Sequence, residues 1–377
     1  MDVGMMMIFS SYGWEDGTDG QMWDEELRLA DLAADLGFDC LWSAEHHFND
    51  YSFVPDNLHL MTHLAAKYPN IDVGTAAVIL PWHDPLRVAE NAAVLDLLSN
   101  GRLRLGFGRG LARREFETFR LSMDESRGRF DEAAPMIVEA LKTGFIEGDG
   151  PFYPQPRTEL RPRPQHSFDG RIYAVASSED SIVSAAKLGA HIVMFADRPW
   201  EMRMPMIDRG RALHREFHGT EPPNVMLTEF VICGTDLAQC EEEARQYQGK
   251  FVESNFYHYE FLGEHFKAVK GYDSYQQKAE IARATAQAMR PELARTASAR
   301  VAPELSCRDR VLGLRLVPPL LLTGLLAGFA LAPGLSFSLL CLLAVALLIA
   351  LREIAAFARL GRIDSLHRAA DAALAKG

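Results

Sequence analysis

Short apolar runs alternate with amphipathic segments from residue 3 to residue 233, and this alternation restricts the fold more than any other feature of the chain. Strand-like runs lie at 3–9, 38–44, 71–80, 101–110, 171–177, 190–196 and 224–233. Helix-like stretches fill 22–37, 56–67, 85–98, 113–143, 179–188 and 200–217. In the first of these, Leu27, Ala30, Leu32 and Leu36 recur near one helical face. Repeated β-then-α units imply a parallel sheet, because each helical crossover returns the chain to begin the next strand in the same direction. Eight units would close a TIM-type (β/α)8 barrel; an open doubly wound sheet is the other arrangement compatible with the rhythm. No eighth apolar strand follows Cys233. The expected α/β architecture is therefore a TIM-type barrel that lacks its eighth strand, with a C-terminal apolar helical hairpin appended.

That appended hairpin follows from a change in composition. Residues 311–352 are almost uncharged and are broken near the middle by Pro333-Gly334. Each half, 314–332 and 335–351, is close to the ~20 residues that span a bilayer. Arg308, Arg310 and Arg315 precede the pair, and Arg352, Arg359 and Arg362 follow it. By the positive-inside rule both ends are cytoplasmic. The expected organisation is a barrel over 1–295, a linker over 296–310, a two-helix transmembrane hairpin over 311–352 and a cytoplasmic helical tail over 353–377. The barrel would then be cytoplasmic and anchored to the inner membrane. A buried pair of core helices and a fusion of unrelated sequence are the competing readings of the same stretch.

Lysine plus arginine number 39 against 51 aspartate plus glutamate, a formal charge of −12, which argues against a nucleic-acid partner. Five cysteines with no CxxC pair suit a reducing compartment.

In a barrel of this kind the chemistry sits where strands end and βα loops begin. At those points the chain places Glu45, His46 and His47 after strand 2, and Gly106, Gly108, Arg109 and Gly110 at the end of strand 4. Ser177, Ser178 and Ser181 follow strand 5 at a helix start, and Ala76-Ala77 lies within strand 3. "SSEDS" is an N-cap pattern, but with Arg109 at a neighbouring strand end it also reads as a phosphate site, served by helix N–H groups and a bidentate guanidinium. His46 and His47 are adjacent and should face opposite ways. Either could be an acid/base residue or a hydrogen-bonded structural one. His59 and His63 stand at i and i+4, a workable metal spacing, but no HExxH and no further ligand completes a set. No metal is expected; one face of a helix packed on the barrel explains the pair.

The stretches "GFDCLWSAEHHF", "IDVGTAAVILPWHDPLRVAENAAVLDLLSNGRLRLGFGRG", "MDESRGRFDE" and "YAVASSEDSIVSAAKLGA" resemble the bacterial luciferase-like, flavin-dependent monooxygenases over residues 1 to about 285. The resemblance implies a (β/α)8 barrel using reduced FMN from a separate reductase, with oxygen added at flavin C4a and the hydroperoxide oxidising a small organic substrate. It implies that His46 transfers protons, that Arg109 binds the flavin phosphate with Ser177, Ser178 and Ser181, and that Ala76-Ala77 forms a cis pair beneath the flavin ring. Ser177 is the weaker match, since luciferase has Glu-Ser where this chain has Ser177-Ser178. Gly108 stands where luciferase has a reactive cysteine and Ala112 where its pocket has an aromatic residue, so light emission is not implied. The alternatives are a barrel oxidoreductase using deazaflavin F420 and a non-catalytic, membrane-tethered flavin-binding protein. Expected partners are the small-molecule substrate, the flavin reductase and a second copy of the chain as a homodimer.

Deleting residues 306–377 should move the protein from the membrane pellet to the supernatant on fractionation without completing the barrel, so the shortened chain should aggregate. An unchanged distribution would sink the anchor reading.

Overall fold

The computed structural model of the chain describes residues 1–11, 17–195, 200–261, 263, 265–267, 269, 272 and 275. The chain divides into two units, Met1–Ala299 and Arg300–Gly377, and every described residue belongs to the first. The expected linker, apolar hairpin and helical tail (296–310, 311–352 and 353–377) lie outside the described residues. Among the described residues no helix is long and apolar enough to cross a membrane.

The elements follow in order: β1 (Gly4–Met7), α1 (Asp19–Leu36), β2 (Cys40–Ser43), α2 (Asn57–Lys67), β3 (Asp72–Thr75), β4 (Val78–Ile79), α3 (Pro85–Ser99), β5 (Leu103–Gly108), α4 (Arg113–Thr118) and α5 (Ser126–Thr143). A hairpin, β6 (Phe145–Gly148) and β7 (Gln155–Glu159), comes next. Then follow β8 (Ile172–Val175), α6 (Glu179–Lys187), β9 (His191–Met194), α7 (Trp200–His218), β10 (Met226–Leu227), α8 (Leu237–Glu243) and α9 (Gly249–Tyr259). The helix starts are locally encoded. Thr18 and Gln21 form a capping box on α1. Asp84 caps α3, whose first residue is Pro85, a position where the missing N–H has no consequence.

The main sheet runs β1-β2-β3-β5-β8-β9-β10, with β4 on β5, and every pairing in it is parallel. This is the curled α/β arrangement of a TIM-type barrel with seven strand positions. Among the described residues no eighth strand joins β10 to β1.

The period-2 alternation of the strands divides their side chains between two cores. Met7, Leu41, Val73, Leu103, Leu105, Ala174, Ile192 and Met194 pack outward against the helices. Cys40, Trp42, Tyr173 and Val193 fill the concave side. Trp42 stands edge-on to Tyr173, ring centres 4.9 Å apart, and needs bare neighbours. A Cβ on Gly74 would lie 2.3 Å from the indole. Arg104 closes one end of this interior with Asp72 at 2.8 Å and Asp2 at 3.0 Å.

Three expectations need correction. The run 224–233 is a strand only over Met226–Leu227, with one further bond from Thr228 N–H to the Met194 carbonyl at 3.0 Å. Met226 and Leu227 pair with Val193 and Met194, the last two residues of β9, and Val231 is 76% exposed. The run 71–80 is two strands, split at Ala76-Ala77, where the chain steps from the start of β5 to its end. His59 and His63 are exposed on the outer side of α2 rather than packed on the barrel, because Leu60, Met61, Leu64 and Ala65 take the buried face. The β6–β7 hairpin had no signature, being short, proline-rich and largely without apolar alternation.

Glu26 on α1 provides a pH-dependent element. Burial pushes its carboxyl up to about 7 against an opposing hydrogen bond from the Ile8 backbone. The folded state therefore holds a proton that the unfolded chain has lost, and this stability, present at low pH, drains away as pH rises from about 4.5 through 7. In urea titrations at pH 5 and pH 8, Glu26→Gln should lose less stability across the interval than the wild type. Equal losses would show that the carboxyl titrates normally.

Candidate active site

The segment after β2 answers why a carboxylate and two histidines follow a buried strand. All three side chains are buried, and they separate into two groups. Glu45 turns toward β4: its Oε2 accepts from Ile79 N–H at 2.9 Å, while its Oε1 lies 2.6 Å from His83 Nε2 and 3.2 Å from His47 Nε2. Burial would push this carboxyl up, but the hydrogen bonds from His47 and His83 and the His83 charge hold it below the usual range. Glu45 is thus a bracket that joins the end of β2 to the β4 segment. The His47 ring fills the space between Trp82 and Phe119, at 5.3 and 4.9 Å between centres.

His46 faces the other way. Its Nδ1 lies 3.2 Å from Glu115 Oε1 and 3.1 Å from His258 Nε2, and its Nε2 lies 3.0 Å from the Tyr259 hydroxyl. Glu115, on α4, is fully buried and also accepts from His47 N–H at 2.7 Å. Burial raises its carboxyl, but the His46 charge and hydrogen bonds from His258 and His46 outweigh that and hold it at about 2. The carboxylate is therefore ionised across the working range and fixes the imidazole beside it. Burial lowers His258 to about 4, the Glu115 hydrogen bond opposing. Tyr259 lies within the same group, its hydroxyl held protonated by burial and by Tyr51 and Glu115 nearby.

At the far end of β5 lies a group of cations and serines. Arg109 stacks on Tyr272, its guanidinium carbon 3.9 Å from the ring centre. Arg127, in the first turn of α5, donates from Nη1 to Ser184 Oγ on α6 at 3.2 Å. Its Nε and Nη2 are buried with no hydrogen-bond partner among the described residues. Burial and then the Arg109 charge push its guanidinium down, with Asp131 and Asp180 opposing. Ser178 caps α6: Ser181 Oγ accepts from Ser177 N–H and Ser178 N–H at 3.0 and 2.8 Å, and Ser181 N–H donates to Ser178 Oγ at 3.4 Å. Ser177 Oγ lies 2.8 Å from the Tyr275 hydroxyl. The serines therefore realise the capping pattern.

Ala76 and Ala77 are both buried and joined by a cis peptide bond. Next to them the sheet is unusually tight: a Cβ on Gly106 would lie 2.1 Å from the Thr75 carbonyl oxygen. Gly106 in "GFGRG" is thus required for close approach of β3 and β5, not for turn freedom.

Glu115, His258, Tyr259 and Arg127 were not singled out in the sequence. Glu115 did leave a signal: Ala112 and Phe116 share its buried face on α4, where a carboxylate is out of place. His258 and Tyr259 left none, since nothing local says that α9 returns to the β2 end.

Fold and site together define a TIM-type α/β protein with a carboxylate-held histidine and two neighbouring arginines at its strand ends. Residues 1–317 match the luciferase-like monooxygenases, and the chain belongs to that family. It is 30% identical over 256 residues to the oxygenase component of the flavin-dependent trigonelline monooxygenase of Acinetobacter baylyi, covering 66% of this chain and 68% of that one. It is 28% identical over 168 residues to the alkanal monooxygenase alpha chain of Photorhabdus laumondii, 45% of this chain and 47% of that one. The chain thus spans about half the length of several curated relatives it matches. Among solved structures, monooxygenase RslO1 of Streptomyces bottropensis superposes with a TM-score of 0.59 at 26% identity, over 79% of this chain and 87% of that one. The FMN-bound oxygenating constituent of 3,6-diketocamphane monooxygenase of Pseudomonas putida shares the fold, with a TM-score of 0.55 at 15% identity over 68% and 79% of the two chains.

Replacing Glu45 with alanine removes an acceptor that serves one backbone N–H and two imidazoles. Urea denaturation should show a loss of about 3 kcal/mol, the scale for a broken buried charged network. Glu45→Gln keeps an acceptor for Ile79 N–H and should lose less. Equal losses would mean that the charge, not the acceptor, holds the bracket.

Proposed function

We propose that the protein is the oxygenase of a two-component monooxygenase, using reduced FMN delivered by a separate reductase and dioxygen to oxidise a small organic substrate. The observation that carries this reading is Arg127, a half-buried cation whose Nε and Nη2 are buried with no hydrogen-bond partner among the described residues, close to the charges of Arg109 and of Asp180 in the first turn of α6. Two cations and a helix N-terminus suit a phosphate dianion. The Acinetobacter relative is named as the oxygenase component of a flavin-dependent monooxygenase and the Photorhabdus relative as a monooxygenase chain, and both support the same reading.

Reduced flavin, when bound, supplies the two electrons with which dioxygen is cleaved, one oxygen atom going to substrate and the other to water. Arg109 and Arg127 would hold its phosphate, with Ser177, Ser178 and Ser181 contributing hydroxyl and backbone donors. Ala76 and Ala77 offer small, buried side chains under a planar ring. His46 holds or releases a proton at Nε2, next to the Tyr259 hydroxyl, while Glu115 fixes the opposite ring nitrogen. The fold of an F420-dependent secondary alcohol dehydrogenase is also shared, with a TM-score of 0.56 at 17% identity, and the cradle would accept either cofactor's phosphate. No residue described here favours F420. Anchoring through 311–352 and homodimer formation rest on the sequence reading.

Equilibrium dialysis of reduced FMN under anaerobic conditions tests the cradle. Arg109→Ala and Arg127→Ala should each weaken binding by ~1.5–3 kcal/mol, the scale of a charged hydrogen bond. Unchanged affinity in both would remove the phosphate assignment, and tighter binding of F420 than of FMN would move the reading to hydride transfer. With a reductase and a panel of aldehydes and terpenes, His46→Ala should turn over roughly 10²-fold more slowly at unaltered FMN affinity. A silent His46→Ala beside a damaging His47→Ala would place the proton transfer on the wrong residue. Absence of turnover in the wild type would leave a flavin-binding protein.

A further inference from the structure

We infer that His46, Glu115 and His258 form a binding site for a divalent transition-metal ion of the zinc class. Each side chain offers one ligand atom, and the three atoms lie within 4.8 Å of one another. The separations are those of a coordination face: 3.2 Å from His46 Nδ1 to Glu115 Oε1, 3.1 Å from His46 Nδ1 to His258 Nε2, and 3.6 Å from His258 Nε2 to Glu115 Oε1. A tetrahedral ion with bonds of about 2.0–2.1 Å separates its ligands by roughly 3.3–3.4 Å. Two imidazoles and one carboxylate with an open fourth position is an established donor set for such an ion.

Two further observations point the same way. Glu115 Oε2 is buried and has no hydrogen-bond partner among the described residues, leaving carboxylate capacity within the group. The far nitrogen of His46 meets a neighbour able to accept its N–H, as metal-bound histidines require: Nε2 lies 3.0 Å from the Tyr259 hydroxyl. The ligands come from the β2 loop, α4 and α9, so an ion there would clamp α9 to the strand ends. It would also take Nδ1 of His46 and the carboxylate that fixes it. Metal binding and proton transfer by His46 are then mutually exclusive, and the ion inhibits.

The inference shares His46 with the proposed reaction but is tested without flavin, so either can fail alone. The full-length protein, stripped with EDTA and dialysed, is titrated with Zn2+ against a chromophoric chelator and separately with Co2+. The expected results are one ion per chain, the intense visible bands of four-coordinate Co2+, and a rise in melting temperature with Zn2+. Affinity should fall by ~10²-fold or more in Glu115→Ala and His258→Ala, and should be unchanged in His59→Ala and His63→Ala. His258→Asn, which keeps a polar group of smaller size, serves if His258→Ala fails to fold. Absence of a stoichiometric site, or binding that survives the triad variants and disappears with His59 and His63, would overturn the proposal and leave a hydrogen-bonded triad.

Discussion

A fully buried carboxylate, Glu115, organises the strand-end face of the molecule. Its Oε1 meets the His46 ring, the His47 backbone N–H and, farther off, His258. An ionised carboxylate taken out of water costs several kcal/mol unless charges and hydrogen-bond donors surround it. The loop after β2, helix α4 and helix α9 must therefore arrive together, because none satisfies Glu115 alone. This requirement fixes the rotamer of His46 and brings Tyr259 to its Nε2. Glu45, one residue before His46, does the equivalent for the adjoining β4 segment through Ile79 and His83.

The sheet beneath this face is shaped by the absence of side chains. Trp42 occupies the concave side because Gly74 leaves it room, and β5 reaches β3 because Gly106 carries no Cβ. Thr75 then bridges the two strands at Gly106, donating to its carbonyl at 3.0 Å and accepting from its N–H at 2.8 Å. That close pairing ends at Ala76-Ala77, and β4 resumes against Phe107 and Gly108. The end of β5, and with it Arg109, is thereby positioned by backbone contacts rather than by flexible side chains.

Arg109 and Arg127 illustrate the opposite economy. Two cations placed close together repel each other, and burial strengthens the repulsion by removing water. Asp131 lies 3.5 Å from Arg127 and only partly offsets this, and the guanidinium Nε and Nη2 have no hydrogen-bond partner among the described residues. An anion bearing more than one charge would relieve the repulsion. Arg127 also reaches the second half of α6, through Ser184.

The β-α rhythm, the parallel order of the strands and the positions of His46, Arg109, Ala76-Ala77 and the α6 serines were legible in the sequence, because each depends on residues near in the chain. Period-2 and period-3.6 patterns decide which face is buried, and a cap needs only three or four residues. His46 and His47 face opposite ways, as their adjacency predicted. The tertiary structure alone decided what those residues touch. The partners of His46 come from α4 and α9, 69 and 212 residues away, and Arg127 meets α6 57 residues farther on. No local pattern encodes such distances, since a buried charge is stabilised by whichever donors the fold brings within about 3 Å. The short β10 is also a tertiary outcome: its composition allows a ten-residue strand, but Met226–Leu227 alone form β10 against β9.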